Sequence, residues 1–245
     1  KFIVRNDNYL YTINNLKRFF LKYTYKNANT IIAQTDEMKD EFIRLGLSDN
    51  KIKVLHNFID EELIINKANE LSPFPKDSAV RFVSVGRIAH QKGFDILIKA
   101  FKKVVNEIQD SKLYIIGSFE GGDQSVYHEL MDLIIQFNLK DKVIFTGYTE
   151  NPYKYIKNAS VYVLSSRYEG LPNVLIESQF LKIPSAATSC IPIISRMVKD
   201  GINGYLANNE DPDSLAKAMI NASKLNHIDS IYKPSKKEDF INLFY

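Results

Sequence analysis

Two glutamates with seven residues between them frame the stretch best able to do chemistry, Ser165-Ser166-Arg167-Tyr168-Glu169-Gly170-Leu171-Pro172-Asn173-Val174-Leu175-Ile176-Glu177. The apolar run Val161-Tyr162-Val163-Leu164 before it reads as a buried strand, and Pro172 stands where a helix takes its first residue. A strand, a glycine turn and a helix start make an anion site, because free backbone N–H groups and the positive helix end point the same way. Glu177, about a turn into the helix, could accept hydrogen bonds from two ribose hydroxyls. Glu169, on the strand-end loop, could meet a ligand hydroxyl or stabilise positive charge as a bond breaks.

A second loop carries cations, Gly86-Arg87-Ile88-Ala89-His90-Gln91-Lys92-Gly93. Gly86 would let the backbone turn at a strand end, and Gly93 would permit close approach at a helix start. Arg87 offers a bidentate fork for phosphate and Lys92 a mobile point charge. Taken alone, both could be solvated loop charges. With the backbone nest at Gly170-Leu171-Pro172-Asn173 in the same crevice, they describe a diphosphate site. Competing signatures are missing. There is no G-x-x-x-x-G-K-[ST] for a nucleoside triphosphatase and no G-x-G-x-x-G for a dehydrogenase. His56, His90, His128 and His227 are scattered singly beside one cysteine, so a metal site has little support.

These loops need a scaffold, and the pattern from residue 80 onward supplies one. Strands at Val80–Val85, Leu113–Ile116, 142–145, Val161–Leu164, 184–188 and 205–207 alternate with helical patterns. That alternation predicts an α/β fold, a Rossmann-like parallel sheet with helices on both faces. Ligands of such sheets bind beyond the C-terminal strand ends. The loops at 86–93, 117–122, 147–151 and 165–171 all leave those ends and should line one crevice. Upstream, Phe2-Ile3-Val4 and Thr30–Ala33 read as strands, and Thr35 can cap a helix that Gly46 ends. Residues 13–27 form a basic amphipathic pattern, Ile13, Leu16, Phe19, Phe20 and Tyr23 among Lys17, Arg18, Lys22 and Lys26. Such a helix either shows water a solvated cationic face or lies on an anionic membrane. Periodicity fails over 61–79, around Ser72-Pro73-Phe74-Pro75, which is expected to be a hinge. The expected organisation is therefore a first-domain segment over 1–60, the hinge over 61–79, the main domain over 80–225 and a tail helix over 226–245 that could cross back to the first domain.

Bulk composition narrows the class. With 245 residues, 45% hydrophobic and 25% charged, the chain is ordinary for a globular protein. A net charge of +3 argues for no nucleic-acid partner. Cys190 is the sole cysteine, which excludes an internal disulfide and fits a reducing compartment. No apolar run reaches the ~18 residues of a membrane span. The first residue is Lys1 rather than Met, so the chain is expected to be part of a longer one.

With these residues in view, the chain resembles the retaining glycosyltransferases of family 4, which have the GT-B fold. The carriers are Val85-Gly86-Arg87 with Lys92-Gly93, Ile116-Gly117, Phe145-Thr146-Gly147-Tyr148, the stretch 165–177 with its paired glutamates, and Asp200-Gly201-Ile202-Asn203-Gly204. Ala28-Asn29 through Thr35 and Asn57-Phe58-Ile59-Asp60 are similar to the end of the family's first domain, so the resemblance covers roughly 28–225. It implies that Arg87, Lys92 and the amides around Gly170-Leu171-Pro172-Asn173 hold a donor diphosphate. It further implies that Glu177 binds the ribose, Glu169 the transferred sugar, and the loops at Gly117 and Tyr148 flank the base. The donor would be a UDP-hexose or UDP-N-acetylhexosamine, used without a metal cofactor. The acceptor would be a glycan or lipid-linked glycan of bacterial surface polysaccharide, in the cytoplasm at the inner face of the membrane. Most of the family's first domain, with its acceptor site, is expected to be missing here. Two further departures bear on folding: Lys182 stands where a glycine would close the helix, and Ser185-Ala186-Ala187 makes a poor buried strand. Competing readings are a non-catalytic nucleotide-sugar-binding fragment that needs a partner domain and a nucleotide-sugar epimerase of similar fold. The Glu169/Glu177 pair favours the transferase over the epimerase.

Overall fold

The computed structural model describes residues 2–5, 10, 14–118, 124–226, 228–231 and 233–242. Ile13 and Gly121-Gly122, parts of the helix and loop expected above, lie outside the described residues. The chain divides into two compact units. Unit 1 takes Lys1–Ile59, Glu169–Asn173 and Lys233–Tyr245; unit 2 takes Asp60–Tyr168 and Val174–Tyr232.

Unit 1 holds a parallel sheet of β1 (Ile3–Arg5), β2 (Thr30–Ala33) and β3 (Ile52–Val54), in that order. Helix α1 (Asn15–Lys26) precedes β2, and α2 (Asp36–Arg44) follows it. The Thr35 hydroxyl caps α2 by accepting from the Met38 amide at 3.2 Å, and Asp36 and Glu37 fill the first turn, where the helix dipole favours acids. Met38 and Phe42 are the α2 side chains that reach the core. A short helix, Lys237–Ile241, belongs to the same unit and sets Phe240 against Phe58 with ring centroids 5.6 Å apart.

Unit 2 is built on six parallel strands: β4 (Val80–Val85), β5 (Ser111–Ile116), β6 (Val143–Gly147), β7 (Val161–Leu164), β8 (Ser185–Thr188) and β9 (Gly204–Ala207). Their order is β6-β5-β4-β7-β8-β9. The chain winds outward from β4 to β6, returns to pair β7 with β4, and winds outward again on the other side. One face of the sheet, including Phe82, Leu113, Ile115, Val161 and Val163, shares a core with α4 (Phe94–Glu107), α5 (Gln124–Gln136) and α9 (Pro212–Ala222). The alternate residues Val83, Tyr114, Ile116, Tyr162 and Leu164 point the other way and are also buried. On that face the Tyr114 ring meets Phe74, which in turn meets Tyr155 of α6 (Tyr153–Lys157). A sheet covered on both faces is what parallel strands require.

Several local expectations are corrected. Residues Glu61–Ala68 of the expected hinge form helix α3, N-capped by the Asp60 carboxylate on the Leu63 amide at 3.0 Å. It packs on α6 and buries Ile64 and Ala68; two buried positions in eight residues are too few to show as periodicity. The tail is helical over Lys237–Ile241 rather than throughout. Ser185-Ala186-Ala187 lies fully buried between β7 and β9. Gly204 of β9 sits so near the Ser185 carbonyl of β8 that a Cβ at position 204 would stand 2.2 Å from it, so that neighbour must be glycine. Lys182 does close its helix, α7 (Asn173–Phe180), and takes the left-handed conformation itself, φ 61°. The helix thus begins one residue after Pro172.

Candidate functional site

The strand order reverses between β4 and β7, and the crevice beyond the C-terminal ends at such a switch point is where open α/β sheets bind ligands. The loops leaving those two strands carry the residues singled out from sequence, Arg87 and Lys92 after β4 and the run 165–173 after β7.

Covalent geometry brings the two loops together. Gly93 adopts φ +60°, and a Cβ on it would lie 2.1 Å from the Ser165 carbonyl oxygen. The Ser165 hydroxyl donates to the Lys92 carbonyl at 2.8 Å, and the Arg167 amide donates to the Gln91 carbonyl at 2.8 Å. The Gln91 side-chain amide returns a bond to the Tyr168 carbonyl at 3.1 Å. Arg167 is the clamp. Its guanidinium donates bidentately to Asp95 at 2.8 and 2.9 Å, to the His90 carbonyl at 2.8 Å and to Glu210 at 2.9 Å. Burial disfavours the Asp95 charge, yet the Arg167 hydrogen bonds and charge outweigh it and hold the carboxyl below its usual range. Asp95 raises the Arg167 pKa in turn. With both side chains about 15% exposed, at 14% and 16%, this pair is shielded from water.

Neighbouring strands complete the rim. Gly117 ends β5 at φ +146°, and a Cβ there would meet the Gly86 carbonyl at 2.0 Å, so glycine is required. Gly86, expected to let the backbone turn at the strand end, takes no positive φ, whereas Gly117 does. Gly86 makes room for the Lys92 stem, whose carbons would lie 3.0–3.2 Å from a Cβ at that position. The Gly117 amide donates to the Gly147 carbonyl at 2.9 Å, tying in the β6 end. Tyr148, next along, is exposed, as is Arg87, while Lys92 is half-buried.

On the β7 side, Glu169 and Leu171 are buried, and Asn173 opens α7 exposed. Glu177 is half-buried one turn into α7. Burial pushes its carboxyl above the ordinary 4.5, and a long hydrogen bond from the Tyr153 hydroxyl, 3.4 Å, restores only part. The same burial, with the Glu177 charge next, pushes the Tyr153 hydroxyl up to about 12. A carboxylate kept short of donors in a cleft gains when a ligand supplies hydroxyls. Chemically, the Arg87 guanidinium and the Lys92 ammonium are cations suited to an anion, and the Glu177 carboxylate is an acceptor suited to hydroxyls.

Arg167, Asp95 and Tyr153 were not singled out from sequence. Asp95 reads there as an ordinary acid in a helix's first turn, and nothing local reports its pairing with Arg167, 72 residues on.

Comparison with known proteins shows the family. The family profile of glycosyl transferases group 1 matches residues 67–239, more than half of the chain, and that of glycosyltransferase family 4 matches residues 4–63. An uncharacterised glycosyltransferase of Methanocaldococcus jannaschii is 37% identical over 180 residues, 69% of this chain and 42% of that protein. The Campylobacter jejuni N-acetylgalactosamine-N,N'-diacetylbacillosaminyl-diphospho-undecaprenol 4-alpha-N-acetylgalactosaminyltransferase is 29% identical over 86% of this chain and 56% of its own length. The chain thus spans about half the length of these curated relatives. Among solved structures, Anabaena HepE in complex with UDP and glucose superposes with a TM-score of 0.76 at 17% identity, covering 91% of this chain and 64% of that one, a likeness of fold. The doubly wound sheet, the rim at its switch point and the profile match together place this chain in the glycosyl transferases group 1 family, in keeping with the family 4 resemblance of its sequence.

Proposed function

We propose that the chain is the donor-binding part of a glycosyltransferase that moves a hexose or N-acetylhexosamine from a UDP-sugar to a glycan or lipid-linked acceptor, with retention, in bacterial surface polysaccharide assembly. The observation that carries the reading is the Arg167 clamp. It holds the loop of Arg87 and Lys92 against the first residues of the β7 loop at the switch point.

In this reading Arg87 and Lys92 hold the donor diphosphate, with the backbone turn Gly170-Leu171-Pro172-Asn173, whose N–H donors are those of Gly170, Leu171 and Asn173. Glu177 accepts from the ribose hydroxyls, Glu169 from the sugar, and the loops at Gly117 and Tyr148 flank the base. As the glycosidic bond to the diphosphate breaks, negative charge grows on the departing phosphate oxygen. In this reading Arg87, Lys92 and the helix start supply the cations and dipole that stabilise it. The acceptor hydroxyl then attacks from the face the diphosphate leaves. No metal cofactor is invoked. The relatives named above support the substrate class, the Campylobacter enzyme by the diphospho-undecaprenol acceptor in its name.

Calorimetry with UDP tests the donor site. Micromolar to millimolar binding is expected, and no binding at millimolar UDP overturns the reading. Lys92→Ala should weaken UDP by about 1–3 kcal/mol, the range of a hydrogen bond to a charged group. The complete gene product incubated with UDP-sugars and lipid-linked acceptors should transfer sugar; interconversion of the UDP-sugar without transfer would identify an epimerase instead.

A further inference from the structure

The Glu177 carboxylate is held from outside its own helix. Tyr153, the first residue of α6, donates its hydroxyl to Glu177 Oε1 at 3.4 Å. What gives this contact weight is how firmly α6 is seated. Ile156 is fully buried, and Tyr155 turns its ring against Phe74 with centroids 5.7 Å apart. Asn151, 5% exposed, ties the first turn of α6 to the end of α3. Its Oδ1 accepts from the Tyr153 and Lys154 amides at 3.1 and 3.4 Å, while its Nδ2 donates to the Lys67 carbonyl at 2.9 Å. With the Tyr153 backbone fixed in this way, two side-chain torsions decide where the hydroxyl goes.

The proton on that hydroxyl is secure. Burial and the charges of Glu177 and of Asp60, the N-cap of α3, disfavour the phenolate, so at neutral pH Tyr153 faces the carboxylate as a donor. Glu177 needs such a partner. Its terminal torsion is intrinsically broad, and a tether on Oε1 narrows it. Oε2 and the remaining lone pair of Oε1 stay available for ligand hydroxyls. The same hydrogen bond supports the ionised form against burial, and the ionised carboxylate is the form that only accepts.

We propose that Tyr153 is a positioning residue for ribose recognition, holding the Glu177 carboxylate so that the site prefers a ribonucleotide to its deoxy analogues. The proposal rests on the assignment of Glu177 to the ribose, and Tyr153 acts through Glu177 without touching the ligand.

Calorimetry with UDP and 2′,3′-dideoxy-UDP tests it. The ratio of the two affinities isolates the ribose hydroxyls and cancels the titration of the phosphates. The unsubstituted chain should prefer UDP about tenfold or more. Binding of neither nucleotide would sink the donor site, and binding without preference would remove Glu177 from the ribose; the proposal falls with either. Tyr153→Phe keeps the ring and deletes the hydroxyl. It should cut the preference about three- to tenfold, with circular dichroism and the affinity for dideoxy-UDP unchanged. The pH profile carries the signature. The preference fades as pH falls through the raised Glu177 pKa, which the Tyr153 hydrogen bond lowers, so in Tyr153→Phe the fading should begin at higher pH. In a Glu177→Ala background, Tyr153→Phe should change the preference no further. Full preference at an unshifted pH profile in Tyr153→Phe overturns the proposal and leaves the ribose assignment standing. A further loss in the Glu177→Ala background also overturns it, by putting the Tyr153 hydroxyl on the ligand itself.

Discussion

Arg167→Ala is the most informative perturbation of unit 2, because one side chain joins the two loops of the switch point. The substitution deletes two hydrogen bonds to Asp95, one to the His90 carbonyl and one to Glu210. Glu210 is 60% exposed, so its bond is screened and adds under ~1 kcal/mol. The Asp95 side chain, 16% exposed, would be left as a carboxylate short of donors. Removing one partner of a fully buried pair costs about 3–5 kcal/mol, and partial exposure places this case near 2–3 kcal/mol. Urea unfolding should therefore show a lower midpoint for the sheet of unit 2 at an unchanged slope. Arg167→Lys keeps the charge and loses the fork, so it should recover less than half of the loss. The pH dependence has a definite sign. The Asp95 carboxyl is held below its ordinary 3.8, so its stabilisation is complete above that value and fades as pH falls through the depressed one. The gap between Arg167→Ala and the unsubstituted chain should accordingly close only in strong acid. UDP affinity should fall at neutral pH, although Arg167 itself need not touch the ligand, because Lys92 loses its brace. A cost under ~0.5 kcal/mol with unchanged UDP affinity would refute the clamp.

Three other substitutions probe separate features. Glu177 has a raised pKa, so its ionised form costs stability; the ligand-free chain should lose stability as pH rises upward from 4.5 toward that raised value. Glu177→Gln should flatten this dependence in thermal melts and raise the Tm at neutral pH while weakening UDP binding; a lower Tm would contradict the burial argument. Gly93→Ala combines a left-handed backbone with a Cβ 2.1 Å from a carbonyl oxygen, and should cost more than ~2 kcal/mol or prevent folding, as read by soluble yield and urea midpoint. Lys182→Gly should do the reverse and stabilise the chain by about 0.5–1 kcal/mol in the same assay, because the left-handed α7 terminus then carries no Cβ.

The alternation of apolar runs with helical patterns was enough to determine a parallel α/β sheet, since strand period, glycine at strand ends and cap residues such as Thr35 and Asp211 are local properties. Glu169, Arg87 and Lys92 were legible as candidates for the same reason, each beside a glycine turn, and Glu177 by its spacing from Glu169. Helix α3 was not legible, because two buried side chains leave too weak a pattern. Nor was the place of Ser185-Ala186-Ala187 as an interior strand, which depends on its pairing with β7 on one side and β9 on the other. The order of the strands, and with it the switch point between β4 and β7, arises from pairings between segments far apart in the chain. The pairing of Arg167 with Asp95 and of Glu177 with Tyr153 is likewise a product of that order, and so are the shifts in their proton affinities. Even α1 divides in this way. Its amphipathic spacing is written in residues 15–26, but which face looks outward was decided only when Tyr25 packed against Phe42. Short-range sterics and periodicity act along the chain and can be read there; long-range contacts add their energy only once the sheet has closed.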